Sequence, residues 1–224
     1  MNNIKQLKIS GRSVLQRPAQ DPDSLKGSVI LLHGYGADEY DLMGLANYFD
    51  ADLQVFSIRA PGMTPFGGAS WFDIEMLADG SLKFDFEQAL TSSRGVISLI
   101  REMQKQGLIS DKQVILGGFS QGATISSMVT LTEPEMIRAL LILSGRLHEA
   151  AHDLLKSPDV LQGLPIFAGH GVNDPVIPIS FGRDLVKFWE ALPVKLEHHE
   201  YVMGHEISPQ ELDHIQTWLA AIIH

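Results

Sequence analysis

The residues best suited to covalent chemistry lie in Gly118-Phe119-Ser120-Gln121-Gly122. A short β-branched run, Gln113 to Gly117, precedes them, and Ala123 to Val129, which can continue as a helix, comes after. A serine at such a strand-to-helix turn, with glycines two positions to either side, matches the G-x-S-x-G nucleophile elbow. Small flanks suit it, because the serine backbone is strained there and neighbouring chain passes close by. The same glycines would suit a tight buried turn, so the pentapeptide needs partners. A hydroxyl becomes a useful nucleophile when a base takes its proton, and the base needs an acid to orient it. Ser120, Asp174 and His205 occur in the order Ser…Asp…His that a parallel α/β architecture uses.

Nine histidines compete for the role of base. His148, His152, His214 and His224 sit in helical or terminal contexts and read as solvated surface. His198 and His199 point to opposite faces of a strand and do not make joint ligands. His33 and His170 precede glycines at strand ends and read as structural, bonded to loop backbone. His205, after the last strand, is the best base, and Asp38, Asp41 and Asp73 rank behind Asp174 as its orienter. An oxyanion formed on attack needs two backbone N–H groups. Gln121, next to the serine, is expected to supply one, and Tyr35, in the turn His33-Gly34-Tyr35-Gly36, the other.

The elements that must position these residues alternate along the chain. Ile4 to Ile9 alternates apolar and polar residues as an edge strand would, and Ser13 to Gln16 can return beside it, followed by a surface loop from Arg17 to Lys26. Val29 to Leu32, Leu53 to Ile58, the Val114 run, Ala139 to Leu143, Pro165 to Ala168 and Val194 to Tyr201 read as strands of a mostly parallel sheet. Helical spacing occurs between them at Asp38 to Phe49, Phe86 to Met103, after Ser120, and at Ser180 to Leu192; Arg146 to Leu164 is mixed, part helix and part loop. A last helix is capped by Ser208, with Pro209 first, Glu211 completing a capping box, and Leu212, Ile215, Trp218, Leu219 and Ile222 as its buried stripe. The pattern implies an α/β fold with helices on both faces of the sheet, one domain over residues 1–224, and chemistry beyond the C-terminal strand ends. Residues 63–82 carry no clear period but cluster Met63, Phe66, Trp71, Phe72 and Met76, which either line a binding wall or plug the core.

The formal charge of -10 disfavours nucleic acid or an anionic membrane as main partner. With no cysteine, disulfides and thiolate chemistry are excluded, and no H-E-x-x-H pattern marks a metallohydrolase; no metal or cofactor is expected. Met1 to Gln6 does not resemble a signal peptide and no apolar run reaches membrane-spanning length, so a cytoplasmic protein is expected.

Leu32-His33-Gly34-Tyr35-Gly36, Ser70-Trp71-Phe72-Asp73, the Ser120 elbow, Gly169 to Pro178 and Gly204-His205-Glu206-Ile207 together resemble the small α/β hydrolases that include bacterial carboxylesterases, lysophospholipases and acyl-protein thioesterases. The resemblance implies a Ser120–Asp174–His205 triad with Tyr35 and Gln121 at the oxyanion hole. It also implies a Trp71–Phe72 loop beside the acyl groove, Val176 against the acyl chain, and a possible homodimer. Ala37 stands where acyl-protein thioesterases carry an acid, which draws the sequence toward the bacterial esterases. The expected activity is hydrolysis of short-to-medium acyl esters through acyl-Ser120, with Met63, Phe66, Trp71 and Phe72 against the acyl part. Thioester or lysophospholipid hydrolysis is the alternative within the class. A non-catalytic binding module of the same fold is the alternative outside it, and such modules typically lack part of the triad.

Overall fold

The computed structural model describes residues 4–76, 82–110 and 113–223, so His224 and the tip of the 63–82 segment lie outside the described residues. Eight strands of the described residues form the main sheet: β1 (Lys5–Ile9), β2 (Arg12–Arg17), β3 (Gly27–Leu32), β4 (Leu53–Ile58), β5 (Val114–Phe119), β6 (Ile137–Leu143), β7 (Pro165–Gly171) and β8 (Lys195–Tyr201). Their spatial order is β1-β2-β4-β3-β5-β6-β7-β8. The β1–β2 and β2–β4 pairs are antiparallel, and every pairing from β4 through β8 is parallel. Strands β3 and β4 are buried at every residue, as continuous apolar runs covered on both faces should be.

Among the described residues four α-helices cover the sheet: α1 (Phe86–Lys105), α2 (Gln121–Thr132), α3 (Ile179–Glu190) and α4 (Pro209–Ile223). One core layer joins Val96, Ile100, Ile125, Met128 and Trp189 of α1, α2 and α3 to one face. The second joins Ile215, Trp218 and Leu219 of α4, with Leu42 and Leu45, to the other. Asp85 caps α1 by accepting a hydrogen bond from the Gln88 N–H. Among the described residues no helix is long and apolar enough to cross a membrane.

Four expectations change. The helical spacing at 38–49 resolves as a 3₁₀ segment, Leu42–Tyr48, which buries the same apolar residues in a tighter coil. Residues 146–164 hold 3₁₀ turns at Glu149–Leu154 and Pro158–Leu161 in place of a helix. Arg17 is no surface-loop residue: it ends β2, is buried, and donates to the carbonyls of Asp50 and Leu53. The capping box is half made. Ser208 Oγ accepts from Glu211 N–H at 3.2 Å, but the Glu211 side chain turns inward, wholly buried against Gly169, and its carboxyl oxygens have no hydrogen-bond partner among the described residues.

The segment at 63–82 is more regular than its sequence suggests. Gly62–Met63 pairs with Ala69–Ser70, and Ile74–Met76 pairs with Leu82–Phe84, as two short antiparallel ladders. They stand after β4, at the C-terminal ends of the parallel strands.

Candidate active site

Strand β5 delivers Ser120 onto a sharp turn. The serine has φ 55° and ψ −117°, a backbone conformation costing on the order of 1–3 kcal/mol that only surrounding structure can hold. Ser120 N–H donates to Leu143 O of β6, which fixes the turn to the neighbouring strand. A Cβ on Gly118 would stand 2.2 Å from the Gly122 carbonyl, and one on Gly122 would stand 1.8 Å from Leu32 O. Both flanking glycines are therefore demanded by close backbone approach, and α2 starts directly behind the serine.

The loop after β7 carries Asp174. Its Oδ1 accepts from the N–H groups of Val176 and Ile177, both at 2.8 Å, and its side chain is fully buried. Its Oδ2 lies 2.7 Å from Nδ1 of His205, which stands after β8. His205 Nε2 lies 2.9 Å from Ser120 Oγ. A carboxylate can only accept, so Nδ1 carries the proton and donates to Asp174, leaving Nε2 to accept from the serine hydroxyl. The Phe119 ring packs on the imidazole with centroids 4.8 Å apart. This relay can move a proton off Ser120 and return it.

Tyr35 and Gln121 flank the serine. In the Tyr35 turn, Gly36 N–H donates to Ala69 O and Ala37 N–H to Gly34 O, so the neighbours of the Tyr35 amide are already engaged. Gln121 is the first residue of α2, where a backbone N–H has no preceding turn to bond. Its side chain is engaged elsewhere, with Oε1 accepting from Trp71 N–H at 3.0 Å and Nε2 donating to Phe72 O at 2.7 Å. The carboxamide thus ties the 71–72 segment to the base of the nucleophile turn.

Ser120 and His205 open into a cavity of about 310 Å³. Of the expected wall residues, Phe72 and Val176 line it. Met63 and Phe66 are 79% and 96% exposed and lie outside the lining. Trp71 is also outside it, buried at 2% exposure, and its indole N–H donates to His33 O at 2.8 Å. Trp71 thus plugs the core beneath the wall because its large ring and single donor are both satisfied there. Sequence reasoning missed Ile74, Phe84, Phe119, Thr124, Arg146 and Ile177. Thr124 was within reach of it, since it stands four residues after Ser120 on one helix face.

The other histidines are placed differently, although His170 Nε2 also stands 3.4 Å from Asp174 Oδ2. His33 is fully buried, with Nδ1 2.7 Å from Gly34 O and Nε2 accepting from Ala60 N–H; burial pushes its pKa down. His170 Nε2 lies 2.9 Å from Ile177 O, bracing the loop that carries Asp174. His214 is no free surface group: its Nδ1 lies 3.0 Å from the Tyr201 hydroxyl. Asp73 is engaged by Gln88 and Asp38 by Tyr40 N–H, while Asp41 lines the cavity.

A family model described as phospholipase/carboxylesterase matches residues 16–223. An acyl-protein thioesterase 1 from Kluyveromyces lactis is 31% identical over 219 residues, spanning 91% of this chain and 95% of that protein. A Bacillus cereus carboxylesterase structure superposes with a TM-score of 0.82 at 20% identity, covering 95% of each chain. A Zea mays acyl-protein thioesterase 2 structure gives 0.77 at 20% identity, covering 94% of this chain and 99% of that one. At that identity the two structures speak to the fold, an α/β-hydrolase fold.

Proposed function

The chain belongs to the phospholipase/carboxylesterase family of α/β hydrolases, and on that premise we propose that it hydrolyses acyl thioesters through an acyl-Ser120 intermediate. Oxygen esters are the second substrate class. The observation that carries this reading is the unbroken Asp174–His205–Ser120 relay, with contacts of 2.7 and 2.9 Å, at the mouth of an apolar-walled cavity. The reading departs from the plain carboxylesterase expected from sequence. Curated relatives matched over most of the chain are named acyl-protein thioesterase 1, which supports the thioester despite Ala37.

In this mechanism Ser120 Oγ attacks the acyl carbonyl carbon while His205 Nε2 takes its proton. The carbonyl oxygen becomes an oxyanion and accepts hydrogen bonds from the Tyr35 and Gln121 N–H groups. Collapse breaks the bond to the leaving sulfur or oxygen, which receives the proton from His205. Water then gives a proton to His205 and attacks the acyl-serine. A second collapse releases the carboxylic acid and returns the proton to Ser120. Asp174 stays ionised throughout and holds the imidazole in the tautomer that attack requires.

The acyl chain is taken to lie against Phe72, Phe84 and Val176, which suits short-to-medium apolar chains. The same reading takes residues 1–224 as one domain, supported by one sheet running from Lys5 to Tyr201. It also includes a cytoplasmic homodimer, to be checked by fractionation and sedimentation. The test of the reaction is fluorophosphonate labelling with matched thioester and ester panels on wild type and Ser120→Ala. Wild type should label and turn over, and the variant should lose both. Equal rates in the two proteins would end the serine-hydrolase reading. Ester turnover without thioester turnover would restore the carboxylesterase.

A further inference from the structure

The cavity that holds Ser120 also holds a cation that the acyl-transfer steps leave unused. Arg146 stands after β6 and lines the wall beside Phe72, Phe84 and Thr124. Its guanidinium carbon stands 4.2 Å from the centroid of Phe84 and 4.3 Å from that of Phe181, so two aromatic rings accompany it. Its own carbonyl is anchored by Thr124 Oγ at 2.8 Å, which ties this position to the helix behind Ser120.

Aromatic rings attract a guanidinium through their π-faces, but they leave the in-plane N–H fork free for a planar acceptor. Among the described residues Arg146 has no carboxylate within ion-pair distance and no side-chain hydrogen bond. By contrast Lys26, Arg59, Arg101 and Arg183 all pair with acids. The contrast matters in a chain with 27 acidic against 17 basic residues, where an acid is the common neighbour. The cavity's one carboxylate among the described lining residues, Asp41, belongs to the segment after the Tyr35 turn, away in sequence from the Phe84–Arg146 wall. Burial lowers the Arg146 pKa by stripping water from the cation, and a poorly hydrated fork gains more from an anion that displaces the rest.

We propose that Arg146 is an anion-recognition subsite of this cavity and that preferred substrates carry a carboxylate or phosphate group on the acyl chain or on the leaving thiol. This rests on the serine-hydrolase reading and adds the substrate's charge to it. Two sources can bring the anion: the far end of the acyl chain, or the leaving thiol.

The experiment compares pairs matched in length. One arm sets an adipoyl thioester against a hexanoyl thioester of the same thiol. The other sets hexanoyl thioesters of pantetheine with and without its terminal phosphate against each other. In wild type the anionic member of one pair is expected to show the higher kcat/KM, by roughly 10-fold or more. Arg146→Gln should bring that ratio to about one. Arg146→Lys, which keeps the charge but loses the fork, should retain part of it. Ratios at or below one in both wild-type arms, or a ratio that Arg146→Gln leaves unmoved, overturn the proposal. If Arg146→Gln does not fold, the wild-type ratios and Arg146→Lys decide. Calorimetry with adipic acid monoamide against hexanamide reads the acyl-end arm without turnover: equal binding of the two overturns the acyl-end source. Failure of the underlying reaction looks different, with no thiol released from any substrate and no fluorophosphonate label.

Discussion

Two buried carboxyl groups flank the end of β7 and are treated oppositely by the fold. Asp174, on the loop that leaves the strand, receives two backbone N–H groups on one oxygen and an imidazole N–H on the other. Glu211, in the first turn of α4, is just as buried, stands against Gly169 of the same strand, and has no partner on either oxygen among the described residues. Its pKa is pushed up to about 8, above all by burial, which disfavours the charged form, and the Ser208 backbone offsets only part of the rise. Burial with little compensation raises the Glu211 carboxyl, whereas at Asp174 the fold aims three N–H donors at the carboxyl oxygens. The same chemical edit, carboxyl to carboxamide, should then have opposite consequences at the two positions.

Asp174→Asn is the largest expected effect. An amide on Nδ1 no longer enforces the tautomer that frees Nε2, and turnover should fall on the order of 10⁴-fold if the serine-protease precedent transfers. Stopped-flow labelling by a fluorophosphonate measures it, and unchanged labelling would move the orienting role to another acid.

Glu211→Gln should affect stability in a pH-dependent way. The unfolded carboxyl titrates near its ordinary 4.5 and the folded one near 8. Across that window the folded state holds a proton that the unfolded state has lost, so wild-type stability falls as pH rises and is lowest above the folded value. The amide cannot ionise. It should be more stable than wild type at pH 9, by up to roughly 4–5 kcal/mol for a rise of that size, and lose that advantage at pH 4. Parallel urea curves for the two proteins across pH would remove Glu211 from the comparison.

His33 extends the contrast to a base clamped by backbone groups. Burial lowers its pKa below the ordinary 6.5, so its contribution to stability is complete above 6.5 and is lost as pH falls through the folded value. Replacing it with glutamine should flatten the acid limb of stability, while fluorophosphonate labelling still goes to completion. The smallest effect concerns the wall. Phe72→Leu should shift the kcat/KM ratio between adjacent acyl lengths by roughly 10-fold or less, in favour of longer chains. A profile that does not move would take Phe72 out of the acyl site.

The strand ends were the legible part of this chain. Parallel strands buried on both faces are continuous apolar runs, and topology places the residues just beyond each run at one edge of the sheet, which is where Ser120, Asp174 and His205 stand. The wall was not legible, because its residues come from short ladders whose pairing depends on tertiary support. Alternation at Ile74-Glu75-Met76 and Lys83-Phe84 was too brief to signal a hairpin. Trp71 looked like a wall residue because a large aromatic in an irregular segment fits core and groove equally. The free donor on its indole, satisfied by His33 O, decides for the core. Arg146 gave no signal at all: a lone arginine after Ser144-Gly145 is ordinary until Phe84 and Phe181 are seen beside it.

The Gln121 carboxamide holds the 71–72 segment by main-chain atoms, the Trp71 N–H and the Phe72 carbonyl. Those atoms are the same whatever side chain stands after Trp71. The grip and the contour of the cavity wall can therefore vary independently, with position 72 free to be exchanged while the anchorage at Gln121 stays in place. For directed evolution this is a ready interchange point, where the cavity can be re-cut one residue at a time without loosening the turn that carries Ser120.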